Sequence, residues 1–178
     1  MSTDGRLEAV KALITAHPDF PKKGILFRNI FPVLRDPKGF HTLCDLMVEH
    51  IQSKCSNVEL IVGLDSRGFL FGPIVAQRLN IGFAPVRKAG KLPGETFKVS
   101  YSLEYGQDSF EIEKSSVKLG QKVVIIDDLI ATGGSMKAAC ELIEMAGADV
   151  VECYLVIELV DLKGRDKINK PVTSLIQY

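Results

Sequence analysis

From residue 60 onward the chain alternates short aliphatic runs with amphipathic stretches of helical period. The run 60–64 leads through a turn into a helical stretch over 69–79 and then a second run, 83–86. The same grammar returns later: Val123, Val124, Ile125 and Ile126, a helix with Met136, Ala139, Cys140, Ile143 and Ala146 inward, a stop at Gly147, and a last run over 150–157. Strands that are aliphatic at nearly every position are buried on both faces, the pattern of parallel strands covered by crossover helices. An α/β fold follows, with a central, mostly parallel sheet flanked by helices.

The N-terminal third reads differently. A short opening helix carries Leu7, Val10 and Ile14 on one side. The segment from Pro18 to Pro32, with three prolines and Gly24, reads as an irregular arm. A longer helix then starts at Asp36-Pro37, an N-cap followed by proline in the first turn, and carries Phe40, Leu43, Cys44, Met47 and Ile51 on one face. Between the two strand-rich halves, residues 89–119 are rich in Gly, Ser, Lys and Tyr. Alternating stretches at 97–103 and 110–112 pair as a hairpin, so this insert is expected to be a flap over a site.

A chain of 178 residues supplies one sizeable core, so one domain spanning 1–178 is expected, with the arm at about 18–34. Lys and Arg together number 22, as do Asp and Glu, so no charge excess points to nucleic acid or an anionic membrane. Neither a signal-peptide pattern nor a span-length apolar run is present, and a soluble cytoplasmic protein is expected. Cys44, Cys55, Cys140 and Cys153 lack paired spacing and read as reduced core thiols. His17, His41 and His50 are too scattered for a zinc site.

The chemistry concentrates where the strand 123–126 meets Asp127, Asp128 and the small-residue turn Ala131, Thr132, Gly133, Gly134, Ser135 opening a helix. Free N–H groups and the positive dipole end at a helix start attract an anion, and the Thr and Ser hydroxyls add donors. Glycines there let backbone approach a phosphate. No G-K-[ST] follows and G-x-G-x-x-G is absent, so neither a P-loop nor a dinucleotide fingerprint is present. Two acids beside a phosphate repel it unless something separates them. A ribose, whose hydroxyls donate to carboxylates, is a natural spacer, and the acids also suit a Mg²⁺ shell.

This stretch resembles the 5-phosphoribosyl-1-pyrophosphate motif of type I phosphoribosyltransferases, and the resemblance implies that family's fold, with an N-terminal hood and a long flap. Further stretches narrow it. The turn Asp65-Ser66-Arg67-Gly68 is similar to the family's pyrophosphate loop, where an unusual peptide bond would fall at Asp65-Ser66 and Arg67 would bind phosphate oxygens. Arg87, Lys88 and Lys91 in Arg87-Lys88-Ala89-Gly90-Lys91-Leu92-Pro93-Gly94 resemble the charge-neutralising stretch of the adenine-specific members, with Lys91 implied to reach a neighbouring subunit of a homodimer. Ser100-Tyr101-Ser102-Leu103-Glu104-Tyr105-Gly106 resembles their flap signature. It implies Glu104 as acceptor of the adenine N9 proton and Tyr105 as the lid. The arm resembles their adenine hood, with backbone groups of Ile25 and Arg28 reading the base edge and Phe27 and Leu129 covering its faces. Asn29 stands where members commonly have Asp. The implied reaction joins adenine to the donor with loss of pyrophosphate, assisted by Mg²⁺ held mainly by substrate, with Asp127 and Asp128 fixing the ribose. Two rivals remain at this point: transfer to a 6-oxo base, and a sensor that binds the sugar phosphate without turnover.

Overall fold

The computed structural model describes residues 3–102 and 107–178. The chain divides into two compact units, Met1–His50 and Ile51–Tyr178.

In the first unit, α1 (Thr3–Leu13) precedes the arm, and the arm is more regular than its prolines suggest. Strands β1 (Thr15–Pro18) and β2 (Leu26–Asn29) pair antiparallel, and α2 (Phe31–Arg35) follows. The prolines sit where no ladder or helix hydrogen bond is lost: Pro18 closes β1, Pro21 lies in the connection after a cis bond from Phe20, and Pro32 occupies the first turn of α2. Asp19 and Gly24, with φ of 58° and 88°, turn that connection, and Asp19 Oδ1 accepts the Gly24 N–H at 2.7 Å. Helix α3 (Pro37–Lys54) starts as its sequence dictates, with Asp36 Oδ1 accepting the Gly39 N–H at 2.6 Å. Leu43, Cys44 and Met47 on its expected inner face are buried.

The second unit is built on a seven-stranded sheet in the order β5-β6-β4-β3-β7-β8-β9. Its strands are β3 (Leu60–Leu64), β4 (Gly82–Lys88), β5 (Thr96–Ser102), β6 (Gln107–Glu113), β7 (Lys122–Ile130), β8 (Asp149–Glu158) and β9 (Val172–Gln177). Five are parallel, from β4 through β9, while the hairpin β5–β6 joins antiparallel at the β4 edge. Helix α4 (Gly72–Leu79) connects β3 to β4, and α5 (Gly134–Met145) connects β7 to β8. One face of the sheet carries Leu60, Val62, Val123, Ile125, Cys153 and Leu155, packed with Met136, Ala139, Cys140, Leu142 and Ile143 of α5. The alternate positions Ile61, Val124 and Ile126 are also buried, which explains the unbroken aliphatic runs. All four cysteines are free and buried. Strand β9 was not legible, because Val172–Gln177 mixes Thr, Ser and Gln into an edge position where only half the surface is covered.

The chain leaves β3 toward β4 on one side and resumes at β7 on the other. Such a reversal opens a crevice beyond the carboxyl ends of the two central strands, where open α/β sheets hold their ligands.

Candidate functional site

Parallel register places Leu64 beside Val86 and Gly63 beside Ile126, so Asp65, Arg87 and the pair Asp127–Asp128 leave adjacent strands at one edge. The two acids do not lie beyond the strand, as the sequence suggested. β7 continues to Ile130, with Asp127 paired to Leu155 and Ile130 to Glu158 of β8. Successive side chains of a strand face opposite sides. Asp127 therefore shares the α5 side with Val123 and Ile125. Asp128 shares the other side with Val124 and Ile126, and is only 2% exposed. Asp128 is therefore covered within the sheet and does not lie past the end of the strand.

What meets Asp128 is the turn after β3. The Asp65–Ser66 peptide bond is cis, at the position the resemblance marked. Gly68 lies against the end of β7 so closely that a Cβ would come within 2.6 Å of the Ile126 carbonyl oxygen. Only glycine lets the turn settle there, and the result is an ion pair of 2.9 Å between Arg67 Nε and Asp128 Oδ2. Among the described residues no donor meets that oxygen in hydrogen-bond geometry, so Arg67 acts on it by charge. Burial pushes the Asp128 carboxyl above its ordinary range, against the pull of Arg67. Asp127 is pushed well above it, first by burial and then by the charge of Asp128, while its Oδ1 accepts the Asp128 N–H at 2.9 Å. Positive charge arriving between them favours the ionised form of both.

Ala131, Thr132 and Gly133 join β7 to α5. Ala131, Thr132, Gly134 and Ser135 keep part of their surface open, while Gly133 is buried. Gly133 adopts φ 79°, and a Cβ on it would meet the Gly164 carbonyl oxygen at 2.2 Å. A left-handed turn packed on Gly164 thus requires glycine here, a cause that the sequence did not show. Above α5, Tyr101 of β5 shares a hydrogen bond with Ser135 and senses Asp108 and Asp127; burial above all pushes its phenol up to about 12. Sequence reasoning gave Tyr101 no role of its own.

Two of the three basic groups are paired with acids. Arg87 Nε lies 3.2 Å from Asp65 Oδ2, and its Nη1 donates to the Lys91 carbonyl at 3.3 Å. Lys88 Nζ is 3.0 Å from Asp108 of β6, and Lys91 is exposed. Buried Glu111 accepts the Gly90 N–H at 2.9 Å, fixing the turn that carries Lys91. These carboxylates hold the cations in place at the crevice edge without removing their charge.

In the first unit, a groove of about 530 Å³ is lined by His17, Phe20, Phe27, Asn29 and Phe31 among others. Phe20 and Phe27 meet edge to face at 5.2 Å. Asn29 Oδ1 accepts the Phe31 N–H at 3.1 Å, which needs an acceptor but no charge, so Asn suffices there. Ile25 is 40% exposed, Arg28 is half-buried, and Leu129, in the second unit, keeps part of its surface open. Among the described residues no group of three or more His, Cys, Asp or Glu is arranged to hold a metal ion, and no helix is long and apolar enough to cross a membrane.

The Phosphoribosyl transferase domain matches residues 33–177 of this sequence. The chain belongs to the phosphoribosyl transferase family. Its similarity to the adenine phosphoribosyltransferases of that family runs end to end: 52% identity to the one from Drosophila pseudoobscura pseudoobscura, over 100% of this chain and 98% of that protein, and 49% to the one from Homo sapiens, over 98% of each. The fold is that of the Saccharomyces cerevisiae adenine phosphoribosyltransferase complexed with D-2,5-dideoxy-2,5-imino-altritol 1,6-bisphosphate and adenine, with a TM-score of 0.95, 47% identity, and coverage of 97% of this chain and 99% of that one. Glu104 and Tyr105, expected in the flap, lie outside the described residues.

Proposed function

We infer that this phosphoribosyl transferase joins adenine to 5-phosphoribosyl-1-pyrophosphate, giving AMP and pyrophosphate, a purine-salvage reaction. The observation that carries the reading is the arrangement at the β3/β7 edge: a helix start whose small residues keep part of their surface open, two acids on the strand before it, and an arginine turn beside them. Ala131, Thr132, Gly134 and Ser135 hold the 5′-phosphate, Gly133 shapes their turn, and Asp127 and Asp128 accept from the ribose hydroxyls. Arg67, Arg87, Lys88 and Lys91 balance the pyrophosphate. The nitrogen N9 of adenine forms the new bond at C1′ as the bond from C1′ to the pyrophosphate oxygen breaks, and Glu104 takes the N9 proton. Positive charge gathers on the ribose ring in between, next to acids whose burial disfavours their charge until a cation arrives. Ile25, Phe27 and Arg28 are taken as adenine contacts, as is Leu129, and Tyr105 as the lid.

Among the described residues no third ligating side chain joins the two acids in a metal-holding group, which suits a Mg²⁺ held mainly by substrate oxygens that Asp127 and Asp128 would reach through water. When bound it would offset charge on the departing pyrophosphate. We take the working unit to be a cytoplasmic homodimer, on the resemblance of Arg87–Gly94 to a stretch that reaches a second subunit.

The decisive experiment incubates the protein with the donor, Mg²⁺ and equimolar adenine, hypoxanthine and xanthine, and separates the products. AMP as the dominant nucleotide is expected. A 6-oxo nucleotide in its place overturns the choice of base, and donor binding without any nucleotide formation makes the protein a sensor. Omitting Mg²⁺ should lower the rate by orders of magnitude.

A further inference from the structure

The phosphate-binding turn does not stand alone. Its inner side is pressed against the segment that follows β8. A Cβ placed on Gly164 would come within 2.2 Å of the Ala131 carbonyl oxygen and 2.8 Å of the Gly133 nitrogen, and one placed on Gly133 would meet the Gly164 carbonyl oxygen at 2.2 Å. Two backbones are in direct contact with no side chain between them, so the path of residues 131–133 is dictated by where Gly164 sits.

Gly164 is in turn held from both sides. The Leu159 N–H donates to the Ile130 carbonyl at 3.0 Å, tying the start of the segment to the last residue of β7. Lys163, in the left-handed region at φ 50°, makes the bend into Gly164. Immediately after it, Arg165 spreads its guanidinium over the sheet end: Nε and Nη2 donate to the two oxygens of Glu158 at 2.9 and 2.6 Å, and Nη1 donates to the Val172 carbonyl at 2.8 Å. Glu158 is buried, and it is further fixed by the Ser174 hydroxyl at 2.5 Å. A bidentate fork of this kind sets direction as well as distance.

We propose that Gly164 and Arg165 are positioning residues for the donor's 5′-phosphate: the Arg165–Glu158 fork fixes the segment, and Gly164 transmits that position to the 131–133 turn by backbone contact. Neither residue touches the ligand. The proposal rests on the reading of that turn as the phosphate site, and it adds a requirement the turn's own sequence does not carry. Misplacing a binding group by about 1 Å costs up to about a hundredfold, so a methyl forced between these backbones should be felt strongly and selectively.

The test measures, by calorimetry, binding of two probes to the full chain: ribose 5-phosphate, which needs the turn, and pyrophosphate, which does not. Gly164→Ala is expected to weaken ribose 5-phosphate about tenfold or more, and Arg165→Ala about fivefold, with pyrophosphate changed less than about twofold in both. Arg165→Lys, which keeps one charged donor, should recover part of the loss. A folded Gly164→Ala or Arg165→Ala variant that binds ribose 5-phosphate normally overturns the proposal, as does an equal loss for both probes, which marks a general structural defect. Should Gly164→Ala fail to fold, Arg165→Ala, altered at a side chain 41% exposed, decides alone. If the wild-type chain itself does not bind ribose 5-phosphate, the reading of the turn fails first, and that outcome is visible before any variant is made.

Discussion

Removing the charge of Asp128 separates its chemical role from its structural one. Asp128 is 2% exposed and sits 2.9 Å from Arg67, whose side chain is 31% exposed. Two unit charges at that distance attract by roughly 6 kcal/mol at an effective dielectric of about 20. Burying the carboxylate costs several kcal/mol of hydration, more than the screened attraction returns, since the carboxyl is held above its ordinary range despite Arg67. Asp128→Ala leaves a gap and strips Arg67 of its partner, so Asp128→Asn, which keeps the shape, is the cleaner change. For a chain of this length its Tm at pH 7 should stay level with wild type or rise by up to about 4 °C, a gain of about 1 kcal/mol or less. Turnover should nonetheless drop by about 10²–10³-fold, because a full charge facing a developing cation is worth about 3–4 kcal/mol in the barrier. Rates of AMP formation at saturating donor, read beside calorimetric melting of the same preparation, test both. A folded Asp128→Asn protein within threefold of wild-type turnover refutes the assignment to the ribose.

Glu158 is held down at about 2, chiefly by its hydrogen bonds to Arg165. A lowered carboxyl stabilises the fold above its unfolded value and loses that contribution as pH falls, so Glu158→Gln should melt well below wild type at pH 7, with the gap closing between pH about 4.5 and about 2. Asp127 is shifted the other way: its charged form opposes folding, so Asp127→Asn should raise the Tm at pH 7 while abolishing turnover, and a lower Tm would contradict the burial argument. Gly68→Ala forces a methyl against the Ile126 carbonyl and should move Arg67 away from Asp128; overpacking of this kind costs about 1–3 kcal/mol, and weaker pyrophosphate binding in calorimetry is the expected companion. The four buried thiols, with Cys55 pushed up to about 12 by burial and by Glu152, should resist a thiol-reactive dye in the native protein and all react in denaturant.

The sheet was legible because its central strands are aliphatic on both faces, and β3 was read to the residue for that reason. Its edges were not: β9 is half covered and polar at alternate positions, and β1 and β2 hide among prolines whose harmlessness depends on which N–H groups happen to be unpaired. The site followed the same rule. Asp127, Asp128 and the turn at 131–135 stood out by residue type, whereas the burial of Asp128 depends on Arg67, which is 61 positions earlier in the chain and comes to it only because Gly68 can lie on β7. Gly133 stood out by residue type, but its packing on Gly164 was not legible, since Gly164 is distant in sequence and carries no motif.

That neighbour relation exposes how the acids are used. Because they stay in the ladder of β7, Asp127 and Asp128 face opposite sides of the sheet and meet different surroundings: Arg67 and the turn after β3 on one side, Tyr101 and the start of α5 on the other. A loop bearing the same two residues would leave both solvated and interchangeable. Held in a strand, one acid is coupled to Arg67 and the other faces the start of α5. On the proposed reading a ribose between those two ends is bound from both by residues whose backbones are fixed by the sheet, and the energy to keep two acids partly desolvated comes from the aliphatic positions Val123–Ile126 immediately before them, all fully buried.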